Sequence, residues 1–253
     1  MKIALCQYNP VWENKEKNKI KIKELVYRSS QKFDLLILPE MTLTGFTMKA
    51  EKFAEELEGD TFEFYCKIAG DFKCDVLGGI IENDYGIFYN TLLHVNSEEK
   101  LISSYRKIHP FSYSTEDKHY SKGIEPVITQ IHSWKTGLSI CYDLRFPELY
   151  RKYGKERAEL IVCIANWPDT RIEHWRILLK ARAIENQCYV AGVNRSGDDP
   201  KLHYNGFSSI FDPMGNELAS LKNEEKIIIE DLRIEEVHSL RKKLPFLDDI
   251  HLI

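Results

Sequence analysis

Short apolar runs, each bounded by turn residues, recur from one end of the chain to the other. Runs of this length and composition are typical of β-strands. The predicted strands are KIALCQY, DLLILPE, DVLGGII, YNTLLHV, LISSYRK, WKTGLSICY, ELIVCIAN, CYVAGVN, GFSSIFD and KIIIEDL. Two clusters of Gly, Asp and Pro, at 196–200 and 212–217, predict a loop and a hairpin turn.

Charged stretches with helical periodicity separate several of these strands. The spacing predicts helices over 14–31, over 61–72 with Asp60 as the N-cap, and over 174–187. Strands and helices alternate in the first and third quarters, which predicts a layered α/β domain of two sheets with helices outside. We expect one domain over 1–253, with a tail from about 241 that packs back on the domain or covers a partner subunit.

The composition excludes several classes of protein. The chain is 43% hydrophobic and 29% charged, which argues against extensive disorder. With a net charge of -4, the chain lacks the excess positive charge that favours binding to nucleic acid or to an anionic membrane surface. The first apolar stretch is too short for a leader peptide and no run is long enough to span a bilayer, so we expect a cytoplasmic protein.

The cysteines favour neither disulfides nor a metal site. They lack a C-x-x-C pair and have no histidines at zinc spacing, so we expect no metal. Cys6, Cys163 and Cys188 lie inside predicted strands, where a thiol is usually a small core residue. A reactive role therefore has to be argued for each cysteine separately.

Three chemically capable residues follow three predicted strands. Glu40 ends DLLILPE, Lys107 ends LISSYRK and Cys141 lies at the end of WKTGLSICY. Ligands gather at the carboxyl ends of strands in layered α/β folds, so we expect these side chains to converge on one pocket. Each residue alone has an ordinary explanation as a loop or core residue, but together they form a hydrolytic set.

The chemistry of this set can be stated step by step. We expect Lys107 and a helix start at 146–148 to lower the pKa of the Cys141 thiol below about 8.5. Lys107 and the backbone N–H of Tyr142 would stabilise an oxyanion, and Glu40 would act as general base and acid. This set needs no histidine and no cofactor, and we interpret His109 as structural.

The same residues carry a family resemblance. LPEMTLTGF, YRKIHPF and LSICYDLRFPELYR resemble the three signature segments of the nitrilase superfamily, the carbon–nitrogen hydrolases, in the same order. The segments at 165–195 and 203–217, with MTLTGFTM, resemble its omega-amidase branch. The resemblance implies an α-β-β-α sandwich, a Glu40–Lys107–Cys141 triad and a homodimer that forms near the active site.

The family also has a second glutamate in the loop after the lysine. In STEDKHYSKG the matching residue is Glu116, and the adjacent Asp117 is the alternative. The resemblance implies that this carboxylate orients the lysine and the substrate amide.

Arg145 is the main indication of the substrate. It follows Cys141 by four residues, and a guanidinium suits bidentate recognition of a carboxylate. The family resemblance implies that it binds the distal carboxylate of the substrate. The alternative is a structural salt bridge to Asp143, Glu148 or Glu173.

Several further residues are candidate substrate contacts. We expect Phe46, Phe111 and Trp167 to form walls of a small pocket, although such aromatics are often plain core. Thr170 is a candidate for a hydroxyl contact to the carboxylate. These residues fit a compact amide that bears a carboxylate.

The resemblance implies hydrolysis of 2-oxoglutaramate and 2-oxosuccinamate to the dicarboxylate and ammonia. The alternatives in the same superfamily are an amidase for deaminated glutathione, an N-carbamoyl hydrolase and a nitrilase. A catalytically silent binding protein is disfavoured because all three triad residues are present. A papain-like protease is disfavoured because no His and Asn are suitably placed.

Overall fold

The computed structural model describes residues 1–29 and 31–252, and its strands form two sheets. The strands are β1 (Lys2–Gln7), β2 (Leu35–Ile37), β3 (Asp75–Asp84), β4 (Ile87–Val95), β5 (Leu101–Arg106), β6 (Ile128–Ile131), β7 (Trp134–Ile140), β8 (Leu160–Ala165), β9 (Tyr189–Asn194), β10 (Ser196–Asp198), β11 (His203–Phe211), β12 (Glu217–Lys222) and β13 (Lys226–Asp231). The helices are α1 (Lys15–Arg28), α2 (Ala50–Phe53), α3 (Asp60–Phe72), α4 (Pro147–Lys155), α5 (Ile172–Asn186) and α6 (Ile234–Lys243).

Each sheet has parallel strands at its centre and antiparallel strands at its edges. The first sheet has the order β13-β1-β2-β3-β4-β5, in which β1, β2 and β3 are parallel. The second has the order β10-β11-β9-β8-β7-β6, with β12 also paired to β11, and β7, β8 and β9 are parallel. The parallel centres bring the carboxyl ends of β2, β7 and β8 to positions from which loops can share a pocket.

The alternation of side chains along β1 explains the layers. Ile3 and Leu5 point into the core between the two sheets, whereas Ala4 and Cys6 pack with residues of α1 and α3 on the other face. Successive strand residues face opposite sides, so a strand that is covered on both faces is apolar throughout. Helices α4 and α5 cover the second sheet, which confirms the α-β-β-α sandwich.

The predicted strands are all present, and the helix boundaries differ slightly. Helix α1 ends at Arg28 rather than at 31, since Ser29 is extended, and the prediction at Ser30 lies outside the described residues. The prediction of Asp60 as N-cap was wrong. Gly59 takes that position, and Asp60 is helical and pairs with Lys19 at 2.6 Å.

The sequence patterns missed the short edge strands. The segment at 196–200, predicted as a loop, contains β10, which pairs with β11. Strands β6 and β12 were also missed. Each pairs in an antiparallel hairpin with the strand next to it in the chain, β7 or β11. Polar residues interrupt both sequences, ITQI and ELASLK, so neither forms a continuous apolar run.

The tail packs on its own chain. Leu247 is buried, and the backbone oxygen of Leu244 accepts a hydrogen bond from Gln187 at 2.8 Å. Asp248 forms an ion pair with Arg157. A subunit contact made by this tail stays a prediction. Among the described residues, no helix is both long enough and apolar enough to span a membrane.

Gly79 of β3 lies against the segment that carries Glu40. A Cβ at Gly79 would come within 2.5 Å of the backbone nitrogen of Met41. We expect Gly79→Ala to lower the free energy of unfolding by about 3 kcal/mol, because backbone cannot move aside as a flexible side chain can. Urea unfolding followed by circular dichroism measures this.

Gly86→Ala is the control on the same hairpin. A Cβ there meets nothing within 4 Å, and only the positive φ of 87° opposes the substitution. We expect Gly86→Ala to lower the free energy of unfolding by about 1 kcal/mol. Equal unfolding midpoints for the two variants would contradict the close contact at Gly79.

Candidate active site

Four strand ends bring an acid, an ammonium and a thiol into one cluster. Glu40 follows β2, Lys107 follows β5, Cys141 follows β7 and Asn166 follows β8. The Nζ atom of Lys107 lies 2.8 Å from Oε1 of Glu40, and both side chains are fully buried. The Sγ atom of Cys141 lies 3.9 Å from the backbone oxygen of Asn166, whose N–H donates to Oε2 of Glu40 at 2.8 Å. The structure thus brings together the three residues that the sequence singled out.

A second buried carboxylate holds the ammonium. Glu116 Oε2 lies 2.9 Å from Nζ of Lys107, and the backbone N–H of Phe111 donates to the same carboxylate oxygen at 2.5 Å. The neighbouring Asp117 is exposed. Of the two adjacent acids that the sequence left open, Glu116 is therefore the one that contacts Lys107.

Two asparagines that the sequence analysis missed complete this cluster. Asn90 Nδ2 donates to Oε1 of Glu40 at 2.7 Å and to Oε1 of Glu116 at 2.8 Å. Asn166 Nδ2 donates to the backbone oxygen of Glu40 at 2.7 Å. The only signal in the sequence is that both are polar residues in or directly after apolar runs. Buried polar groups need partners, and here they are partners for the carboxylates.

The backbone at Cys141 is held in an unusual conformation. Its φ is 47°, in the left-handed region that costs a non-glycine residue about 1–2 kcal/mol. The buried Asp143 stabilises the turn by accepting from the N–H of Ile140 at 2.9 Å. It also accepts from the hydroxyl of Tyr105 at 2.8 Å and from the N–H of His109 at 3.0 Å. Asp143 therefore ties the turn at the thiol to the loop after Lys107.

The pKa values of the charged groups follow from their surroundings. Burial alone would lower the pKa of Lys107, but Glu116 and Glu40 outweigh it, so the pKa is well above its usual value. Burial raises the pKa of Glu116, and Lys107 opposes that rise. Lys107 is thus a permanent ammonium between two carboxyl groups.

The expected depression of the Cys141 pKa was wrong. Burial raises the pKa of this thiol well above its ordinary value, and the Glu40 carboxylate raises it further. Lys107 opposes the rise, but its charge is already compensated by two carboxylates. Cys141 is therefore a neutral thiol at neutral pH, and a base would be needed to convert it to a thiolate.

The other cysteines are buried within the sandwich. Cys6, Cys163 and Cys188 are fully buried core residues, as predicted. Burial raises the pKa of each thiol to about 12. Cys141, in contrast, is partly exposed and lines a pocket.

That pocket has a volume of about 440 Å³. Phe46, Phe111 and Trp167 line it, as predicted, together with Tyr142, whose ring centre lies 4.8 Å from that of Phe111. Thr170 is exposed and is not part of the lining within the described chain. Within residues 1–29 and 31–252, no group of three or more His, Cys, Asp or Glu side chains could hold a metal ion.

Arg145 also lines the pocket, and its surroundings are aromatic. Its guanidinium lies 4.8 Å from the ring centre of Trp167, and Nη2 lies 3.2 Å from Nδ1 of His174. In the part of the chain that the structure describes, no carboxylate forms an ion pair with it. The predicted alternative, a salt bridge to Asp143, Glu148 or Glu173, is thus not observed.

Known proteins are similar to this chain in sequence and in fold. The carbon-nitrogen hydrolase family model matches residues 2–242. The chain is 32% identical to the 2-oxoglutaramate amidase of Bacillus subtilis, covering 98% of this chain and 96% of that protein. It is 34% identical to the omega-amidase YafV of Yersinia enterocolitica, with 98% and 96% covered. The crystal structure of XC1258 from Xanthomonas campestris, a CN-hydrolase superfamily protein, is similar with a TM-score of 0.95 and 30% identity, covering 100% of this chain and 98% of that one.

The raised pKa of Cys141 can be measured by alkylation. Iodoacetamide reacts with the thiolate, so we expect the rate at Cys141 to keep rising above pH 8.5, the approximate pKa of a free thiol. In Glu40→Gln the rise should occur at lower pH, because one negative charge that raises the pKa is gone. Mass spectrometry of the modified peptide gives the rate at each pH.

Cys141→Ser serves as the control, since the remaining thiols should stay unmodified in the folded protein. Circular dichroism checks that Glu40→Gln is folded. A wild-type rate that levels off below pH 7 would contradict a neutral resting thiol.

Proposed function

The chain belongs to the carbon-nitrogen hydrolase family, and we propose that it is an omega-amidase with a Glu40–Lys107–Cys141 triad. Its substrates are small 2-oxo acid amides, 2-oxoglutaramate and 2-oxosuccinamate, which it converts to the dicarboxylate and ammonia. Two relatives with full-length similarity are a 2-oxoglutaramate amidase and an omega-amidase, which supports this class of substrate.

The first half of the reaction forms a thioester. Glu40 takes the proton of the Cys141 thiol while the sulfur attacks the amide carbon. The oxyanion that develops is stabilised by Lys107 and by the backbone N–H of Tyr142. Glu40 then donates its proton to the leaving nitrogen, and ammonia departs as the carbon–nitrogen bond breaks.

The second half hydrolyses the thioester. Glu40, again a carboxylate, takes a proton from a water molecule, whose oxygen attacks the thioester carbon. The tetrahedral intermediate collapses and expels the sulfur of Cys141, which recovers the proton from Glu40. The carboxylic acid is released, and the enzyme returns to a neutral thiol and an ionised carboxylate.

One observation carries this proposal: the buried contact of Lys107 with Glu40 and Glu116 beside the neutral Cys141 thiol. A thiol whose pKa is raised by burial requires a base, and Glu40 is the carboxylate that raises this pKa most. Lys107 has three N–H donors, and Oε1 of Glu40 and both carboxylate oxygens of Glu116 lie within 3.1 Å of its Nζ atom. An oxyanion would replace one of the two Glu116 oxygens as acceptor, so Lys107 could stabilise it without leaving Glu40. Glu116 keeps the ammonium in place while the proton on Glu40 changes.

Arg145 supports an anionic substrate. Its guanidinium has no carboxylate partner within the described chain and lies over Trp167 in the pocket wall. A guanidinium has five N–H donors, and since His174 engages Nη2 of Arg145 at 3.2 Å, the remaining donors can bind a carboxylate. The residues thus favour a small amide with a carboxylate at the far end, with Phe46, Phe111 and Trp167 as its apolar contacts.

We also propose that the protein is a homodimer. Large apolar side chains are exposed on α5 and on the β11–β12 hairpin, namely Ile177, Ile184, Met214 and Leu218. Ile184 lies next to this hairpin, since a Cβ at Gly215 would meet its Cδ1 at 2.6 Å. An exposed apolar patch of this kind is typical of a subunit interface.

Ammonia release from a panel of substrates tests the activity. We expect turnover of 2-oxoglutaramate and 2-oxosuccinamate to exceed that of glutamine, asparagine, a nitrile, an N-carbamoyl amino acid and deaminated glutathione. Cys141→Ala should lower the rate by about 10⁴-fold or more with the fold intact, because the nucleophile is lost. Retained activity in this variant would disprove the mechanism, and a preference for another panel member would assign that branch instead.

The role of Arg145 makes a separate prediction. Arg145→Gln should raise KM for 2-oxoglutaramate by about 10- to 100-fold, because a hydrogen bond to a charged group contributes about 1.5–3 kcal/mol. The rate with a neutral amide such as butyramide should change little. Steady-state kinetics with both substrates measure this.

Arg28→Gln, on the exposed surface of α1, is the control for the loss of one positive charge. It should behave as the wild type with both substrates. An equal loss on butyramide and 2-oxoglutaramate in Arg145→Gln would rule out a carboxylate-binding role.

A further inference from the structure

A second arginine in the pocket has no part in the mechanism above. Arg171 lines the same pocket as Cys141 and Arg145, and its guanidinium lies 5.6 Å from the ring centre of Phe111. Its side chain makes one weak hydrogen bond, to the Thr170 hydroxyl at 3.5 Å. Like Arg145, Arg171 forms no ion pair with a carboxylate within the described residues, 1–29 and 31–252.

The position of Arg171 does not depend on its side chain. It ends a short 3-10 turn, Asp169–Arg171, directly before α5. Its backbone oxygen accepts from Nε1 of Trp167 at 2.8 Å, and its backbone N–H donates to Pro168. A substitution keeps both of these bonds, so the guanidinium can be removed without disturbing the fold.

The acidic residues of the pocket do not neutralise the two arginines. Glu13 is engaged by Lys49 at 2.8 Å and by the Thr47 hydroxyl at 2.6 Å. Asp199 accepts from the hydroxyl of Tyr204 at 2.6 Å and from the N–H of Lys201 at 2.7 Å. Both carboxylates are thus satisfied by their own partners, and Arg145 and Arg171 remain available to a ligand.

Two available guanidinium groups offer more donors than one carboxylate can use. Each guanidinium presents parallel N–H groups that bind a pair of neighbouring oxygens. A 2-oxo acid carries such a second pair, since its ketone oxygen lies next to one carboxylate oxygen. An amino acid carries an ammonium at that carbon, which a nearby guanidinium repels.

We infer that Arg171 is a specificity-determining residue that binds the ketone and the adjacent carboxylate oxygen of the substrate, while Arg145 binds the other carboxylate oxygen. This inference rests on the proposed function. It deepens that function by naming the substrate class: amides whose distal carboxylate has a neighbouring oxygen acceptor. The same residue excludes amino acid amides by charge repulsion.

Kinetics with three matched substrates test the inference. 2-Oxoglutaramate has a ketone at the carbon next to the carboxylate, glutaramate has a CH₂ there and L-glutamine has an ammonium. We expect Arg171→Gln to lower kcat/KM for 2-oxoglutaramate by about 10- to 100-fold, mainly through KM. The loss on glutaramate should stay below about threefold, and L-glutamine should be turned over better relative to 2-oxoglutaramate.

Two further variants distinguish the loss of a positive charge from the loss of the guanidinium's parallel N–H groups. Arg176→Gln is the control, because Arg176 lies in α5 and pairs with Glu173 and Glu217 outside the pocket lining. It should leave all three substrates near the wild-type values. Arg171→Lys retains the charge without the forked N–H groups, so it should still disfavour L-glutamine but lose the preference for the ketone.

Several outcomes would overturn the inference. An Arg171→Gln variant that lowers kcat/KM equally for all three substrates has lost something other than recognition of the ketone. Unchanged kcat and KM values in Arg171→Gln would show that Arg171 does not contact the substrate. Full recovery of the ketone preference by Arg171→Lys would contradict a guanidinium that binds both the ketone oxygen and the carboxylate oxygen. The proposed function fails separately, if the wild type releases no ammonia from either 2-oxoglutaramate or glutaramate.

Discussion

The ion cluster of Lys107 with Glu40 and Glu116 is the interaction that the rest of the site depends on. Taking three charged groups out of water costs several kcal/mol for each ion, and the cost is offset only when every polar atom finds a partner. The ammonium lies within 3 Å of both carboxylates, and Asn90 and Asn166 donate to the oxygens that remain. A group that lost its partner here would be a buried, uncompensated charge.

This requirement explains why the site needs the whole sandwich. Glu40 follows β2 and Asn90 lies in β4 of the first sheet, whereas Asn166 and Cys141 follow strands of the second. The two sheets must therefore pack in one register for the carboxylates to be satisfied. Asp143 adds a second tie between the sheets, since it binds Tyr105 of β5 and the backbone at the end of β7.

The cluster also affects the protonation state of the Cys141 thiol in the free enzyme. Many reactive cysteines are thiolates because a cation lowers their pKa. Here the charge of Lys107 is already compensated by two acids, and burial, together with the Glu40 carboxylate, raises the pKa of Cys141. The Cys141 thiol thus stays neutral until a substrate arrives. Arg145 and Arg171, near the rings of Trp167 and Phe111, place positive charge in the lining of the pocket, in a chain whose net charge is -4.

The sequence by itself determined the layered fold and the candidate catalytic residues. Strand patterns and strand ends are local, so the predicted strands, and the convergence of Glu40, Lys107 and Cys141, could be predicted from periodicity and chain position alone. Only the tertiary structure decided which carboxylate, Glu116 or Asp117, contacts the lysine, and which polar residues, Asn90 and Asn166, complete the cluster. It also reversed the expected pKa shift of Cys141 and placed Arg171 rather than Thr170 in the pocket. The physical reason is that burial and charge compensation depend on contacts between residues far apart in the chain, which no local pattern encodes.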